Sequence, residues 1–281
     1  MKTTIVYKID DLYIPVVCNS SNIFTNGRTG VLSSKESDIT FGQSWYPDGY
    51  SVQEFLNQGE FDKLQDGVER CIKNIVEQVL NLSLSNFSLP KYHHFIKTNQ
   101  EHMKVVRRTR DLFPVDFNFP VYSLIAAIEE SLGFSLTDKS EVMGKRMHII
   151  IRINRPGSHD YNPPHKDIYG SFDADPENAE KFINLWIPIC GVNKRTSLPI
   201  VPCSHLIDES LIVRTTEGAD LSGGKYRVNI IKEWNRSSEL TRADVGEREV
   251  LMFSPFLIHG LGYNPSDTES RVSLEFRLLR A

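Results

Sequence analysis

The sequence predicts a mainly β fold with flanking helices, of the α+β class, in which a jelly roll forms the core. After Gly144 the chain consists of short runs rich in β-branched and aromatic residues, separated by turn residues. These runs do not alternate with helices, and no internal repeat is present, which favours an antiparallel jelly roll over a doubly wound sheet. Before Gly144, apolar residues recur at the three- and four-residue spacing of amphipathic helices.

The strands of the second half can be placed one by one. Residues 147–154 are mostly β-branched, and the strand they predict ends at the turn signal Pro156-Gly157. Further strands are expected at 182–189, 198–201, 249–254 and 270–279, with shorter ones between 211 and 231. Residues 207–246 depart from this pattern of short apolar strands and are expected to form a lid insertion.

The first half, residues 1–143, is predicted to be a mostly helical wrapping of the core barrel at 144–281, within a single domain. One or two edge strands are expected at 5–17, followed by a loop at 19–50. The predicted helices lie at 51–79 with a break near Gly59, at 99–112, and at 121–132 with an end at Gly133.

The composition is that of an ordinary globular protein. Of 281 residues, 40% are hydrophobic and 24% are charged, which excludes fibrous and disordered classes. The net charge of −4 gives no general attraction to nucleic acid or to anionic membranes, so neither is an expected partner. Early charges in the N-terminal segment, and the lack of a run of about 18 apolar residues, predict a cytoplasmic protein without a membrane span.

The cysteines argue against a zinc site and against a disulfide framework. Cys18, Cys71, Cys190 and Cys203 show neither Cys-x-x-Cys spacing nor the density of a disulfide scaffold. They are expected to be reduced, mostly buried thiols.

His165, Asp167 and His259 form the principal candidate site. Two histidines and one carboxylate can hold a ferrous ion on one face and leave the opposite positions free, as in non-haem iron oxygenases. In an extended segment, residues i and i+2 project to the same side, so His165 and Asp167 can reach one ion while Lys166 points away. His259 follows 94 residues after His165 and must come from a distant strand.

A fixed cation follows the second histidine. Arg271 lies twelve residues after His259, and its forked donors suit a carboxylate. Ser273 is a candidate donor to the same carboxylate. Arg152 and Asn154 share one strand face and are candidates for lining the same pocket, although ordinary structural roles fit their positions equally well.

Four segments around these residues occur in a characteristic order across about half of the chain: 163–167, 184–188, 198–205 and 259–277. They resemble the corresponding segments of the Fe(II)- and 2-oxoglutarate-dependent oxygenases, and within them the phytanoyl-CoA dioxygenase-like family. Two positions depart from the family pattern. Cys203 stands where the family usually has glycine. The arginine of the family often falls one residue closer to the distal histidine than Arg271 does, so Arg277, on the same strand face, is an alternative.

The resemblance implies a double-stranded β-helix, a cupin-like jelly-roll barrel, with iron at its open end. It implies that His165, Asp167 and His259 bind Fe(II) and that Arg271 pairs with the distal carboxylate of 2-oxoglutarate. The implied activity is that of a dioxygenase that consumes O₂ and 2-oxoglutarate, forms succinate and CO₂, and hydroxylates a small-molecule substrate. Related halogenases lack the carboxylate that Asp167 supplies, so hydroxylation is favoured over halogenation.

Several residues are candidates for contact with the substrate. Tyr169 and Trp186 are two of them, although Trp186 also suits the barrel core. The loop at 173–179 and the predicted lid at 207–246 are further candidates. A set of basic residues favours a carboxylated or phosphorylated metabolite: Arg107, Arg108, Arg110, Lys145 and Arg155.

Other interpretations are compatible with the residues alone. His165 and Asp167 can form a surface loop pair after two prolines, and Arg271 can pair with a neighbouring glutamate. A catalytically silent barrel that binds a ligand or a partner could retain the triad. A nucleic-acid demethylase would use paired arginines such as Arg271 and Arg277, but the acidic net charge argues against it. A cupin-type metal protein would need His-x-His where Asp167 stands.

Overall fold

The computed structural model describes residues 2–117, 121–141, 144–146, 149–170, 181–221 and 224–281. Within these residues the chain forms four α-helices: α1 (Gln58–Leu80), α2 (Tyr92–Phe95), α3 (Asn99–Thr109) and α4 (Val121–Leu132). The same residues form seventeen β-strands: β1 (Lys2–Ile9), β2 (Leu12–Asn19), β3 (Phe24–Asn26), β4 (Tyr50–Glu54), β5 (Leu136–Thr137), β6 (Lys139–Ser140), β7 (Lys145–Arg146), β8 (Ile150–Asn154), β9 (Phe182–Cys190), β10 (Pro199–Ile200), β11 (Ile212–Thr215), β12 (Ala219–Leu221), β13 (Gly224–Tyr226), β14 (Ile231–Trp234), β15 (Glu239–Arg242), β16 (Glu249–Phe253) and β17 (Arg271–Arg280).

A large antiparallel sheet forms the centre of the fold. Its strands run in the order β4-β16-β9-β17-β5, and β8 pairs with the first half of β17. One face packs against the helices in an apolar cluster that includes Ile187 and Leu274 from the sheet, with Leu64 of α1 and Ile128 of α4. Because side chains alternate along a strand, the intervening residues point to the opposite, inner face.

A second sheet lies against this inner face. Its order is β10-β15-β1-β2-β12-β13, and a smaller sheet has the order β14-β11-β3. Trp186, Leu251 and Phe253 of the large sheet share an apolar cluster with Ile200 of β10 and with Ala243, which follows β15. The chain is therefore mainly β, with a curled sheet of the jelly-roll kind that the sequence predicts.

The N-terminal part departs from the predicted helical wrapping, because residues 2–54 form four strands. β1 and β2 pair along their whole length, β3 joins β11, and β4 forms an edge of the large sheet. Burial alternates along β1, where Tyr7 and Ile9 are buried, as expected for a half-buried strand. β1 also pairs with β15 between Lys8 and Glu239, and such a distant pairing leaves no local signal in the sequence.

The α-helices of the described chain lie between residues 58 and 132. The predicted break near Gly59 is wrong: β4 precedes α1, and α1 begins after Asn57, which forms a capping box with Glu60. α4 has its predicted bounds, and Gly133 follows it with a φ of 77°, a conformation that favours glycine. Among the described residues, no helix combines the length and apolar character that crossing a membrane would require.

The five strands predicted individually in the second half are present. They correspond to β8, β9, β10, β16 and β17, each within a few residues of the expected bounds. Positions 147 and 148 of the first predicted strand, and the candidate loop at 173–179, lie outside the described residues. The segment 207–246 forms β11 to β15. Of these strands, β11 and β14 belong to the three-stranded sheet, and β12, β13 and β15 belong to the second sheet. Its action as a lid stays a prediction.

All four cysteines are free. Cys18 and Cys190 are buried, Cys71 is half-buried and Cys203 is exposed, so the expectation of buried thiols holds for two of the four. Cys203 has a φ of 62°, which explains why glycine is favoured in this turn. A side chain in this left-handed region costs about 1–2 kcal/mol.

A buried polar cluster fixes α3 against the segment after β8. Nδ1 of His102 lies 3.1 Å from the Tyr92 hydroxyl, and Nε2 lies 3.5 Å from Oδ1 of Asp160. Asp160 also accepts two hydrogen bonds from the Arg155 guanidinium, at 2.7 and 2.9 Å. Burial lowers the pKa of His102 to about 4, opposed by the Asp160 carboxylate and reinforced by Arg155.

Lowering the pH from about 6.5 to about 4.5 is expected to destabilise the fold through His102. The unfolded histidine has a pKa near 6.5 and takes up a proton in this range, whereas the folded ring stays neutral until about pH 4. Because the unfolded state then binds more protons, the free energy of unfolding falls by about 2–3 kcal/mol from this residue. Denaturant titrations at both pH values measure the fall, which should be smaller in His102→Gln. An equal fall in the wild type and in the variant would contradict this origin.

Candidate metal centre

His165 and His259 are joined through their backbones. Each amide donates a hydrogen bond to the carbonyl of the other, at 3.0 and 3.1 Å. His259 also forms a bridge to Ile200 in β10. Residues that exchange both hydrogen bonds in this way lie directly opposite each other. The two ring centroids are consequently 4.4 Å apart.

Asp167 completes a compact group of ligand atoms. It begins a short 3₁₀ turn, Asp167–Gly170, rather than continuing an extended segment. Oδ1 lies 3.5 Å from Nε2 of His165, and Oδ2 lies 3.7 Å from Nε2 of His259. One ligand atom of each residue lies within 4.8 Å of the other two, close enough to bind one ion. The three residues predicted from the sequence therefore meet in space.

Hydrogen bonds at Nδ1 orient both imidazole rings and leave Nε2 of each ring free to bind a metal. Nδ1 of His165 lies 2.8 Å from the carbonyl oxygen of Pro163, and Nδ1 of His259 lies 3.0 Å from that of Leu257. Because a carbonyl can only accept, each Nδ1 carries the proton. The lone pair of each Nε2 is then directed towards Asp167, which is how metal-binding histidines are commonly oriented.

The ionisation states suit a metal ligand set. Burial and the neighbouring His165 ring lower the pKa of His259 to about 4. Burial alone would raise the pKa of Asp167, but the Arg277 guanidinium and the two imidazoles outweigh it and hold that pKa well below its usual value. At neutral pH the site therefore has a neutral His259 and an ionised carboxylate, the forms in which these residues bind metals.

Arg277 contacts the metal-ligand candidate Asp167 directly. Nη2 of Arg277 lies 2.8 Å from Oδ1 of Asp167. Its guanidinium carbon also lies 4.7 Å from the centre of the Phe182 ring. Arg277 and Arg271 are six positions apart on β17 and share one face of the strand. They have different neighbours, and Arg277 is placed to orient Asp167.

Arg271 lies in a buried pocket of unpaired hydrogen-bond donors. Its side chain is buried, and its Nε and Nη1 have no partner among the described residues. The Ser273 hydroxyl and the Trp186 indole N–H also lack partners there. A Cβ at Gly262 would lie 2.5 Å from Nη2 of Arg271, so this glycine leaves space for the guanidinium. Buried donors without acceptors are costly, so the pocket suits a group that brings oxygen atoms.

The same pocket is positively charged. Burial lowers the pKa of Arg271 to about 9, and the Glu275 carboxylate opposes this shift. Arg271 therefore remains a cation at neutral pH. Its guanidinium carbon lies 5.5 Å from the centre of the Trp186 ring, which supports the side chain from one side. A carboxylate would supply both the acceptors and the negative charge that this pocket lacks.

Arg152 and Asn154 lie on β8, opposite Ser273 and Arg271 respectively. Nε of Arg152 donates to Oε2 of Glu275 at 2.7 Å. The Asn154 amide group donates to the carbonyl of Asp160, while its own Oδ1 has no partner among the described residues. Both residues therefore lie beside Arg271 and Ser273 in the sheet, but each is already partly engaged by the protein. Their contact with a co-substrate stays a prediction.

The two aromatic substrate candidates, Tyr169 and Trp186, are both buried. Tyr169 lies in an apolar cluster and its hydroxyl donates to Glu209 at 2.8 Å. Contact of either residue with a substrate stays a prediction. Trp186 is buried between the sheets, beside Arg271. Tyr226 of β13, which no sequence motif indicates, has its ring centroid 5.7 Å from that of His165.

Solved structures share this fold at low sequence identity. AviO1 from Streptomyces viridochromogenes Tue57 is 15% identical, with a TM-score of 0.51 over 89% of this chain and 96% of that chain. EvdO2 from Micromonospora carbonacea var. aurantiaca, in complex with 2-oxoglutarate, is 12% identical, with a TM-score of 0.52 over 90% and 94%. A second EvdO2 structure is 11% identical, with a TM-score of 0.53 over 90% and 93%. No protein-family model and no curated protein sequence matches the chain.

Proposed function

We propose that the chain is an Fe(II)- and 2-oxoglutarate-dependent dioxygenase of the phytanoyl-CoA dioxygenase-like kind, which hydroxylates a small-molecule metabolite. The proposal rests on one observation: ligand atoms of His165, Asp167 and His259 lie within 4.8 Å of one another. Two imidazoles and one carboxylate form the facial donor set of such oxygenases. The buried cation Arg271 and the 2-oxoglutarate complex of EvdO2, which has this fold, support the assignment.

The residues present fit the groups that this activity needs. Nε2 of His165 and of His259 and the carboxylate of Asp167 would hold Fe(II). The Arg271 guanidinium and the Ser273 hydroxyl would hold the distal carboxylate of 2-oxoglutarate, since both have donors without partners in the described chain. When bound, the metal and co-substrate supply the oxidising chemistry, with consumption of O₂ and release of succinate and CO₂.

The chain's own residues orient and enclose this site. Arg277 fixes the Asp167 carboxylate through its 2.8 Å contact. The carbonyls of Pro163 and Leu257 hold the two imidazole rings in place. The Phe253 ring lies with its centroid 4.8 Å from that of His259 and shields that side from water. Fixed ligands in a partly dry pocket are what metal-assisted oxidation requires of the protein.

Anaerobic titration tests the proposed function. Fe(II) and 2-oxoglutarate added together should give a weak visible charge-transfer band, and admission of O₂ should then yield succinate. Succinate added in place of 2-oxoglutarate lacks the keto oxygen needed for chelation and should give no band. Absence of the band with both ligands, and absence of succinate formation, would overturn the assignment. Iron binding without either signal would favour the catalytically silent barrel.

We also propose that the whole chain works as one oxygenase unit in which segment 207–246 covers the site. Tyr226, within this segment, lies beside His165. β13 forms an edge of the second sheet and pairs only with β12 among the described strands. An edge hairpin held by one neighbour is a suitable element to open and close over a substrate.

The substrate is proposed to carry a carboxylate or phosphate group. Arg110, which follows α3, is exposed, and its pKa is lowered by partial desolvation and by repulsion from Arg152, Arg227 and Arg107. Arg152 also interacts electrostatically with Asp167, so this member of the basic cluster lies near the metal centre. Of these arginines, only Arg152 has a salt bridge to a carboxylate among the described residues. A bound anion would relieve the repulsion within the cluster.

Two other members of the predicted basic set already have protein partners. Arg155 is held by Asp160 at 2.7 Å and by Asn99 at 2.6 Å. Arg108 donates to Gln78 at 2.6 Å. The basic residues that favour an anionic substrate are therefore those near Arg110.

Replacing Arg110 or Arg227 with alanine is expected to raise the KM for an anionic substrate about tenfold or more, because one charged hydrogen bond contributes about 1.5–3 kcal/mol. Substrate-dependent succinate formation, measured with a panel of carboxylated, phosphorylated and neutral metabolites, gives these values. Arg70→Ala, which replaces an exposed arginine on α1, is the matched control and should leave the KM unchanged. Preference for neutral metabolites, or an unchanged KM in both variants, would contradict the anionic substrate.

A further inference from the structure

Lys166, which stands between two of the candidate ligands, belongs to a buried ion pair. Its side chain is fully buried, and Nζ lies 2.7 Å from Oε1 of Glu209. A buried ammonium group without a counter-charge is strongly unfavourable, so Lys166 depends on Glu209 for its position. Because His165 and Asp167 flank Lys166 in the chain, a displacement of Lys166 would move the backbone of both.

Glu209 has partners for both carboxylate oxygens. Oε2 accepts a hydrogen bond from the Tyr169 hydroxyl at 2.8 Å and lies 3.5 Å from Nε of Arg214. The Arg214 guanidinium carbon lies 4.2 Å from the centre of the Tyr169 ring. Tyr169 belongs to the 3₁₀ turn that begins at Asp167, so Glu209 holds this part of the chain at two points, Lys166 and Tyr169. Because both carboxylate oxygens of Glu209 are engaged, this buried network favours one geometry.

The backbone of Glu209 is fixed as well. Its amide donates to the Gly30 carbonyl at 2.8 Å, and its carbonyl accepts from the Gly27 amide at 3.0 Å. A Cβ on Gly27 would lie 2.7 Å from that carbonyl oxygen, so the close approach requires glycine. The preceding Asp208 caps the short 3₁₀ helix of Glu209 by accepting from the Ser210 amide. The Glu209 carboxylate is thus presented to Lys166 from a rigid support.

We propose that Glu209 is a positioning residue for the metal centre, acting through Lys166 and Tyr169 to set the directions in which His165 and Asp167 present their ligand atoms. The inference rests on the proposed function only in requiring that the triad binds a metal. It adds a residue that lies 43 positions from Lys166 and contacts none of the three ligands through the hydrogen bonds described.

Co(II) binding to the otherwise unmodified full chain provides the test, because Co(II) binds the same donor types more tightly than Fe(II) and reports ligand geometry through its visible spectrum. Glu209→Gln leaves Lys166 opposite a neutral amide of the same size. Its Co(II) affinity is expected to fall about 10–100-fold, the range seen when residues that support metal ligands are replaced. Its ligand-field bands should also shift, which a loss of global stability alone would not produce in folded protein.

An exposed lysine–glutamate ion pair provides the matched control. Lys8 and Glu239 also lie 2.7 Å apart, but their side chains are 38% and 50% exposed. Glu239→Gln should therefore leave both the Co(II) affinity and the spectrum at wild-type values. Thermal unfolding followed by circular dichroism identifies the temperature at which every variant is folded, and the titrations are performed there.

A double-substitution cycle decides whether Glu209 acts through Lys166. In Lys166→Met, Glu209 keeps Tyr169 and Arg214 as partners. Because the amide oxygen of glutamine can still accept from the Tyr169 hydroxyl, the cycle isolates the Lys166 route. The double variant should then bind Co(II) within about threefold of Lys166→Met, whereas independent effects would multiply. This comparison holds even if Glu209→Gln alone does not fold, because the double variant has no unpaired buried ammonium.

The outcomes separate this inference from the proposed function. Wild-type Co(II) affinity and spectrum in Glu209→Gln, or multiplied losses in the double variant, would overturn the positioning role alone. Failure of the wild-type protein to bind Co(II) would overturn both. A fall in affinity in Glu209→Gln, with a shifted spectrum and no further loss in the double variant relative to Lys166→Met, would support both.

Discussion

Asp167→Ala is expected to abolish substrate hydroxylation and to weaken Fe(II) binding by more than about 100-fold, since even residues that only support metal ligands contribute 10–100-fold. Asp167 supplies the single carboxylate of the triad, and its two oxygens lie 3.5 and 3.7 Å from the ring nitrogens of His165 and His259. Removing it takes away both a ligand and the negative charge that balances Fe(II). Anaerobic Fe(II) titration and mass spectrometry of the product measure the two effects.

Two further variants distinguish ligation from a general effect on the fold. Asp167→Asn keeps the volume and one oxygen but removes the charge, and it should also lose most hydroxylation. Asp244→Ala removes an exposed carboxylate whose salt bridge to Lys194 is 3.1 Å long, and it should behave as wild type. Hydroxylation retained in Asp167→Ala would show that the three residues are not the facial triad.

The three residues that meet at the candidate metal centre could be predicted because their identity and order are local properties of the sequence. Finding a histidine two residues before an aspartate, then a later histidine and, beyond it, an arginine requires no knowledge of which strands pair. The strands of the second half were predictable for a similar reason. The residues of β9, for example, are apolar except for Asn184, and every one of them is buried.

The supporting contacts could not be predicted, because they depend on pairings between distant parts of the chain. Arg277 contacts Asp167 only because a 3₁₀ turn carries the carboxylate towards β17. Tyr226 reaches His165 from a three-residue strand whose sequence contains no motif. Glu209 meets Lys166 across 43 positions of sequence. Strand register and burial decide these contacts, and neither is encoded in any short segment.

The N-terminal strands show the same limit of sequence-based prediction, here for the fold rather than for the site. The β-branched and aromatic residues at 5–17 correctly indicate strands, but the predicted edge position is wrong. β1 and β2 lie inside the second sheet, because their partners are at residues 219–242. Helical periodicity near residue 51 extended the predicted helix into β4, because β4 is a half-buried strand at the edge of the large sheet. Tertiary pairing therefore overrides local preference in this part of the chain.

Arg271→Met is expected to remove 2-oxoglutarate binding without destabilising the unliganded protein. Nε and Nη1 of Arg271 are buried without partners in the described chain, so the unliganded fold bears the cost of a poorly satisfied cation. Methionine has a similar length and no charge, and replacement of a buried ionic group by an apolar one of similar volume is often neutral or stabilising. Loss of a charge-assisted carboxylate contact should weaken 2-oxoglutarate binding by about 100-fold, or roughly 3 kcal/mol.

Thermal unfolding with and without co-substrate separates these two effects. At about 100 times its Kd, a ligand that binds only the folded state stabilises it by about 2.7 kcal/mol, so 2-oxoglutarate with metal should raise the Tm of the wild type but not of Arg271→Met. Arg277→Met is the informative comparison, because Arg277 contacts Asp167 at 2.8 Å and should mainly affect metal affinity. If Arg271→Met retains the Tm shift and Arg277→Met loses it at saturating metal, then Arg277, and not Arg271, holds the distal carboxylate. The buried donors around Arg271 would in that case require another acceptor.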